Sequence, residues 1–332
     1  MEDLHLLAFK EKSRAATVSV VSNTMLVIGK LVVGIMIGSV SVISEAIHSA
    51  VDLLAAIIAW FAVRFSDQPA DEEHPYGHGK MENLSGAIEA LLIFLAAGWI
   101  IWEAVHKLLK GGEVASPGLG AMIMGISAMM NWAVSTYLMR VGRKHDSMAL
   151  IADGLHLRTD VWTSAGVLGG LLLLSLAKWV FPHTNLFWID PVTAIAVACL
   201  ILKAAWDMTR QATGALLDEA LPLEEIAEIQ GFARQESNIK SLHDLRTRKS
   251  GAERMVDAHV TVPSEITVFE GHASARRFKD HILLRWPLSN VNVHLDPCDG
   301  SCKAPCLSGC LLSAGERGAL HDAWVARIDA LK

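Results

Sequence analysis

Two histidine–aspartate couples, His48 with Asp52 and His156 with Asp160, lie within long apolar runs of this 332-residue chain. Each couple is spaced i, i+4, so on a helix both of its side chains share one face. Ionisable groups inside such runs are costly and need a reason. Two imidazole nitrogens and two carboxylate oxygens make a tetrahedral donor set suited to Zn²⁺. A single HxxxD reads equally well as a packed, hydrogen-bonded histidine whose aspartate pairs with Ser, Thr or Arg158. Two couples at matching depth on antiparallel helices favour one shared ion. Glu45 and Asp153 stand three residues before each histidine. They could orient the imidazoles, supply protons, or line a wet cavity. Arg158 does not share the His156/Asp160 face and is expected to pair elsewhere or to reach for an interface.

Three further clusters carry metal-ligand chemistry. In the segment DEEHPYGHGK, Asp71, His74 and His78 can converge, because Pro75 and Gly77 bend the chain. This is a three-ligand set, or an ordinary polar loop. Downstream, His243, His259, His272 and His294 accompany Asp296. A binuclear zinc site at a domain or subunit face would account for so many of the 14 histidines gathering in these groups. Last come Cys298, Cys302, Cys306 and Cys310, while Cys199 lies apart in an apolar run. Gly300, Pro305 and Gly309 argue against a regular helix there. The alternatives are a looped four-thiol site for Zn²⁺ or Cd²⁺ and a mobile reduced tail.

The elements that must position these residues follow from composition. Hydrophobic residues make up 52% of the chain, charged residues 19%, and mean hydropathy is +0.35. The apolar excess is confined to residues 1–210, which excludes a wholly soluble enzyme, a disordered chain and a fibrous one. A net charge of −6 gives no support to a nucleic-acid partner. The charged N-terminus lacks the features of a cleaved signal peptide. Six segments have the roughly 20 apolar residues that cross a bilayer: Ala15–Gly38, Val40–Phe65, Leu84–Leu108, Leu119–Val141, Met148–Val180 and Leu186–Met208. Lys10, Lys12, Arg14, Arg64, Lys80, Arg140, Arg143 and Lys144 fall on one side, against Lys107, Lys110 and Lys178 on the other. The positive-inside rule then puts both termini in the cytoplasm.

Residues 212–296 read as a small cytoplasmic α+β domain. Helices are expected over Leu223–Ser237 and Thr267–Arg285, and strands over Ser241–Lys249, Met255–Val262 and Val291–Leu295. Residues 1–211 form the helical membrane domain, and 297–332 a Cys-rich extension ending in an amphipathic segment. Lys80 and Asp218 both fall at the membrane–cytoplasm junction, where an ion pair is expected.

The segments SVSVISEAIHSAVD, QPADEEHPYGHGKMENL, ADGLHLRTDVWTS, LLDEALP, HDLRTRKSG and VNVHLDPC together resemble the cation diffusion facilitators, in particular the bacterial zinc and iron efflux group, over about residues 10–298. The resemblance implies a homodimer in the bacterial inner membrane, six spans per protomer and a ferredoxin-like cytoplasmic domain. It also implies export of divalent metal in exchange for protons. Matched residue by residue, it implies a transport site of His48, Asp52, His156 and Asp160, and a loop site of Asp71, His74 and His78. The implied cytoplasmic-domain site is His243, His259, His272, His294 and Asp296. Many bacterial zinc/iron members carry Asp where this chain has His48; the nitrogen favours tetrahedral Zn²⁺ over Mn²⁺ or Mg²⁺. The cysteine tail is not a hallmark of the group.

The expected function is therefore proton-coupled Zn²⁺ efflux by alternating access, with Zn²⁺ also regulatory and no organic cofactor. Fe²⁺ or a broad range including Cd²⁺, Co²⁺ and Mn²⁺ is the rival within the class. A metal-gated channel or sensor is the rival outside it. No GxxxxGK[ST] for ATP and no HExxH for a metalloprotease occurs, so an enzyme is not expected.

Overall fold

The protein is described by a computed structural model covering residues 2–37, 40–110, 119–180 and 188–330. The chain divides into two compact units, one beginning at Glu2 and ending at Leu216, the other beginning at Leu217.

The first unit is a bundle of six long helices: α1 (Glu2–Ile37), α2 (Val40–Ser66), α3 (Lys80–Lys110), α4 (Leu119–Lys144), α5 (Met148–Val180) and α6 (Ile189–Leu216). The closest pairings are α1 with α2, α3 with α6 and α4 with α5. Small residues sit inside: Ala55, Ala56, Ala59, Ala90 and Ala97 are fully buried. Large apolar residues sit outside: Met25, Ile35, Leu95, Trp99 and Trp206 are all exposed. A soluble bundle would bury the large groups. Here small side chains let backbones approach, and the bulky ones face outward, which is the packing of helices in hydrocarbon. Among the described residues, Leu6–Met36, Ala46–Ser66, Lys80–His106 and Pro191–Leu216 are long and apolar enough to cross a membrane. The described parts of α4 and α5 do not reach that hydropathy, because both carry polar residues.

A tight turn fixes where α5 begins. Ser147 N–H donates to the Gly142 carbonyl at 2.8 Å, and Asp146 takes φ 53°, a left-handed conformation that Asp tolerates better than most residues. The helix therefore begins at Met148, which puts Asp153 and His156 in its second and third turns.

The second unit runs α7 (Leu223–Gln235), β1 (Ser241–Ser250), β2 (Glu253–Pro263), α8 (Val268–Arg285), β3 (Ser289–Cys298), α9 (Ala304–Ser308) and α10 (Ala314–Ala330). The sheet order is β1-β2-β3. The β1–β2 hairpin is antiparallel, and the α8 crossover makes β2–β3 parallel. Thr267 starts α8 through a capping box: its hydroxyl accepts from Glu270 N–H at 3.2 Å, and the Glu270 carboxylate accepts from Thr267 N–H at 2.9 Å. The Thr267 N–H, joined by the Thr267 hydroxyl at 2.9 Å, donates to the Glu270 carboxylate and holds its pKa below the usual carboxylate range. Val256, Ala258, Val260 and Val291 form the core with Phe278 and Ile282 of α8. Strand alternation then turns His243, His259, His294, Thr261 and Asp296 to the other face.

The division between units falls after Leu216, where α6 ends. Residues 297–332 belong to the sheet unit. They hydrogen-bond along β1: Leu242 N–H donates to the Gly309 carbonyl at 3.0 Å and Leu311 N–H to the Lys240 carbonyl at 2.8 Å.

Candidate metal centre

The two HxxxD couples meet between α2 and α5, and they meet crosswise. His156 Nε2 lies 3.2 Å from Asp52 Oδ1, and His48 Nε2 lies 3.9 Å from Asp160 Oδ1. One ligand atom each from His48, Asp52 and Asp160 falls within 4.8 Å of the others. Asp52 and His156 are buried, while His48 is half exposed. The four side chains share the wall of a cavity of about 660 Å³, which also takes in Lys30 and Asn131. His156 Nδ1 is buried with no hydrogen-bond partner. A set of two nitrogens and two carboxylates in a partly buried cavity can take a divalent cation, with one imidazole open to the cavity and the other enclosed.

Polar residues outside the two couples lie around this set or close to Asp153. Asn131 Nδ2 donates to Asp160 Oδ2 at 3.4 Å. Lys30 is buried and donates to Ser49 Oγ at 2.9 Å, one residue beyond His48. Glu89 is fully buried, close to Asp153, and receives only the Ser85 hydroxyl, at 3.3 Å. The available signal was a charge in an apolar run, the one that singled out Asp52. Asp153 is itself fully buried, and neither oxygen makes a well-formed hydrogen bond. The Glu45 side chain lies outside the described residues. Arg158 pairs away from the cluster, as expected: its guanidinium donates to the Ser135 and Thr136 hydroxyls at 3.2 and 3.0 Å and lies over the Trp132 ring.

The loop brings its three residues together. His74 Nδ1 and His78 Nε2 lie 3.3 and 3.4 Å from the two oxygens of Asp71. Gly77 at φ +77° allows the turn, and its N–H donates to the His74 carbonyl at 2.9 Å. His74 N–H donates to Asp71 Oδ1 at 2.6 Å, which is the main reason the Asp71 carboxyl is held below its usual range.

In the sheet unit, His243, His259 and His294 are register partners across β1, β2 and β3. All three converge on Asp296. His259 Nδ1 lies 3.0 Å and His243 Nε2 3.4 Å from Oδ2, and His294 Nε2 lies 3.5 Å from Oδ1. His272 is not brought to this cluster: it is exposed on α8, the helix packed against the opposite face of the sheet. Strand and helix residues that look alike in sequence are here separated by the thickness of the sheet. Lys80 Nζ donates to the Leu216 carbonyl at 3.3 Å, and Asp218 pairs with Arg248 at 3.0 Å.

The four tail cysteines are free and partly buried. They line one cavity of about 340 Å³ together with His243, His259 and Asp296. Burial pushes the Cys298 thiol up, and the nearby Cys306, Cys302 and Cys310 act in the same direction.

The comparisons agree with this architecture. Residues 16–217 match the cation efflux transmembrane domain, and residues 221–298 the cytoplasmic domain of cation efflux proteins. The chain is 35% identical over 263 residues to an uncharacterized transporter of Synechocystis, covering 79% of this chain and 83% of the relative. It is 33% identical over 286 residues to the cation-efflux pump FieF of Citrobacter koseri, covering 86% and 93%. For FieF of Shigella flexneri the identity is 31% over 287 residues, with the same coverage. With both domains matched and most of each relative spanned, the chain belongs to the cation diffusion facilitator family of cation efflux transporters and is a transporter rather than an enzyme.

Proposed function

We propose that this protein moves Zn²⁺ out of the cytoplasm in exchange for protons, with His48, Asp52, His156 and Asp160 as the site that holds the ion in transit. The observation that carries the reading is the crosswise pairing of the two couples at the α2–α5 contact, within a cavity between helices whose outer surfaces are apolar. Two nitrogens beside two carboxylates favour a tetrahedral ion such as Zn²⁺ over the octahedral, oxygen-seeking Mg²⁺ and Mn²⁺. Ligands must be deprotonated to bind metal, so binding releases protons and protonation releases metal. That exchange is the chemical basis of antiport. A rocking of helices that opens the cavity first to one side and then to the other completes the cycle.

The same reading makes α4 and α5 transmembrane, for six spans in all. Their polar residues Ser135, Asp153, His156 and Thr159 are buried rather than facing outward, which supports two spans whose mean hydropathy understates their apolar outer surface. The Lys and Arg distribution places both termini in the cytoplasm. The bacterial relatives support the inner membrane, and the match to the family's cytoplasmic domain supports a homodimer. Lys80 and Asp218 remain our proposal for an ion pair at the junction. His243, His259, His294 and Asp296 would hold a regulatory Zn²⁺, as would Asp71, His74 and His78. The fit rests on the donor sets and on buried, unpartnered Nδ1 atoms of His243 and His78. His272, exposed on α8, could join such a site only across a subunit contact.

The test is transport into proteoliposomes with Zn²⁺, Fe²⁺, Cd²⁺ and Mn²⁺, each with and without a pH difference. Zn²⁺ flux should require the gradient and vanish in His48→Ala and Asp160→Ala. Flux without a gradient would identify a channel, and full activity in either variant would remove the site assignment.

A further inference from the structure

We infer that Cys298, Cys302, Cys306 and Cys310 form a four-thiol site for a thiophilic divalent ion, Zn²⁺ or Cd²⁺, built by docking the tail onto the sheet beside the histidine cluster. This site is distinct from the transport site and stands whether or not the helical unit exports zinc.

The argument begins on β3. Residues 294, 296 and 298 alternate along one strand, so Cys298 shares a face with His294 and Asp296. The chain then turns back through Gly300 and α9, which delivers the other three thiols to the same cavity of about 340 Å³. Specific contacts hold this path. Gly309 lies so close to β1 that a Cβ would overlap the Leu242 carbonyl. Ser241 Oγ donates to the Cys306 carbonyl at 2.9 Å, and Cys306 Sγ lies 3.7 Å from Thr261 Oγ1. Ser241 and Cys310 form an isolated antiparallel bridge. On the far side, α10 pins the loop: His321 Nδ1 bonds the Gly300 carbonyl, and Arg327 donates to the Asp299 carbonyl, both at 3.0 Å.

These contacts keep all four thiols on the wall of one cavity. The thiols line the cavity walls without being gathered within 4.8 Å as the histidine cluster is. Metal–thiolate distances of about 2.3 Å require the cysteine loop to draw inward around the ion. The single-turn helix α9 leaves it room to do so. Thiolates are soft ligands and select Zn²⁺ and Cd²⁺ over Mg²⁺, Ca²⁺ and Mn²⁺. The cavity wall thus carries the nitrogen and oxygen ligands of His243, His259 and Asp296 as well as the four thiols.

The experiment is a Cd²⁺ titration of the reduced full-length protein in detergent, following the ultraviolet thiolate-to-metal charge-transfer band. The band should saturate at one ion per chain. Replacing all four cysteines by serine should abolish it and lower the total Cd²⁺ bound by one ion per chain. His243→Ala should keep the band, since it touches only the histidine site. Gly309→Val retains every thiol but displaces the tail, and should weaken the Cd²⁺ affinity of the band at least ~10-fold. It also serves if the fourfold variant does not fold. Absence of the band from the native protein, its loss in His243→Ala, or an unchanged band in Gly309→Val would overturn the assignment.

Discussion

His156 Nε2 lies 3.2 Å from Asp52 Oδ1, so the imidazole of one HxxxD couple meets the carboxylate of the other rather than its own partner one turn away. The pairing ties α2 to α5 and makes the ligand set a property of two helices. Removing either member should therefore disable metal binding at this site as fully as removing both. A double-mutant cycle of Asp52→Ala and His156→Ala checks this. Each single change should lower Zn²⁺ affinity by at least ~100-fold in calorimetry of the detergent-purified protein, and the double change should cost little more, as for residues that act as a unit.

Close packing of α4 on α5 passes through Gly154, two residues before His156. A Cβ there would stand 2.7 Å from Met139 Cγ and 3.2 Å from both Leu138 Cβ and the Ser135 carbonyl. Met139 can yield, but the backbone carbonyl cannot. Gly154→Val should destabilise the helical unit by about 1–3 kcal/mol. It should also reduce metal flux by shifting His156, with no ligand removed. Thermal unfolding in detergent and proteoliposome transport report the two effects separately.

A buried ion pair joins α1 to α3. Lys12 Nζ lies 2.9 Å from Glu82 Oε1, and Ser66 and Ser147 also donate to the Glu82 carboxylate. Both charges are nearly enclosed. Glu82→Gln leaves the lysine without its counter-charge and should cost about 3–5 kcal/mol, whereas replacing the pair together, Lys12→Met with Glu82→Gln, should cost less. Unfolding midpoints of the two variants decide this.

The loop site carries a definite pH dependence. The Asp71 pKa is lowered, chiefly by His74 N–H, so that bond contributes fully above the ordinary carboxylate range and is lost only as pH falls through the depressed value. Because the Asp71 carboxylate stays ionised down to that depressed value, protonation of Asp71 should not be what releases Zn²⁺ from the loop. In a variant lacking the other sites, Asp71→Asn should lower loop affinity but leave the pH midpoint of release unchanged. Zn²⁺ binding across pH measures both.

Local pattern carried much of this protein. Apolar runs of about 20 residues located the long helices because lipid-facing helices need that length. The helix ends were less legible: α1 starts at Glu2 rather than at Ala15, since a helix need not stop where its apolar stretch stops. The expected strands β1, β2 and β3 fall within a few residues of the observed ones, as does the start of α8. Spacing also grouped Asp71, His74 and His78, which are close in sequence and need only a turn to meet. His272 was grouped with the strand histidines because histidine type and neighbourhood say nothing about which side of a sheet a helix covers. Glu89 and Lys30 are legible as charges within apolar runs, whereas neutral Asn131 carries no such signal.

Residue types and their i, i+4 periodicity were by themselves enough to set the donor chemistry of the two couples and the helices that bear them, because those are properties of neighbouring residues. Which imidazole faces which carboxylate, and that the cysteine tail closes over the histidine face, were decided only in three dimensions. Both depend on contacts between residues far apart in the chain, such as His156 with Asp52 and Gly309 with Leu242, and those contacts exist only once the helices and the sheet have packed.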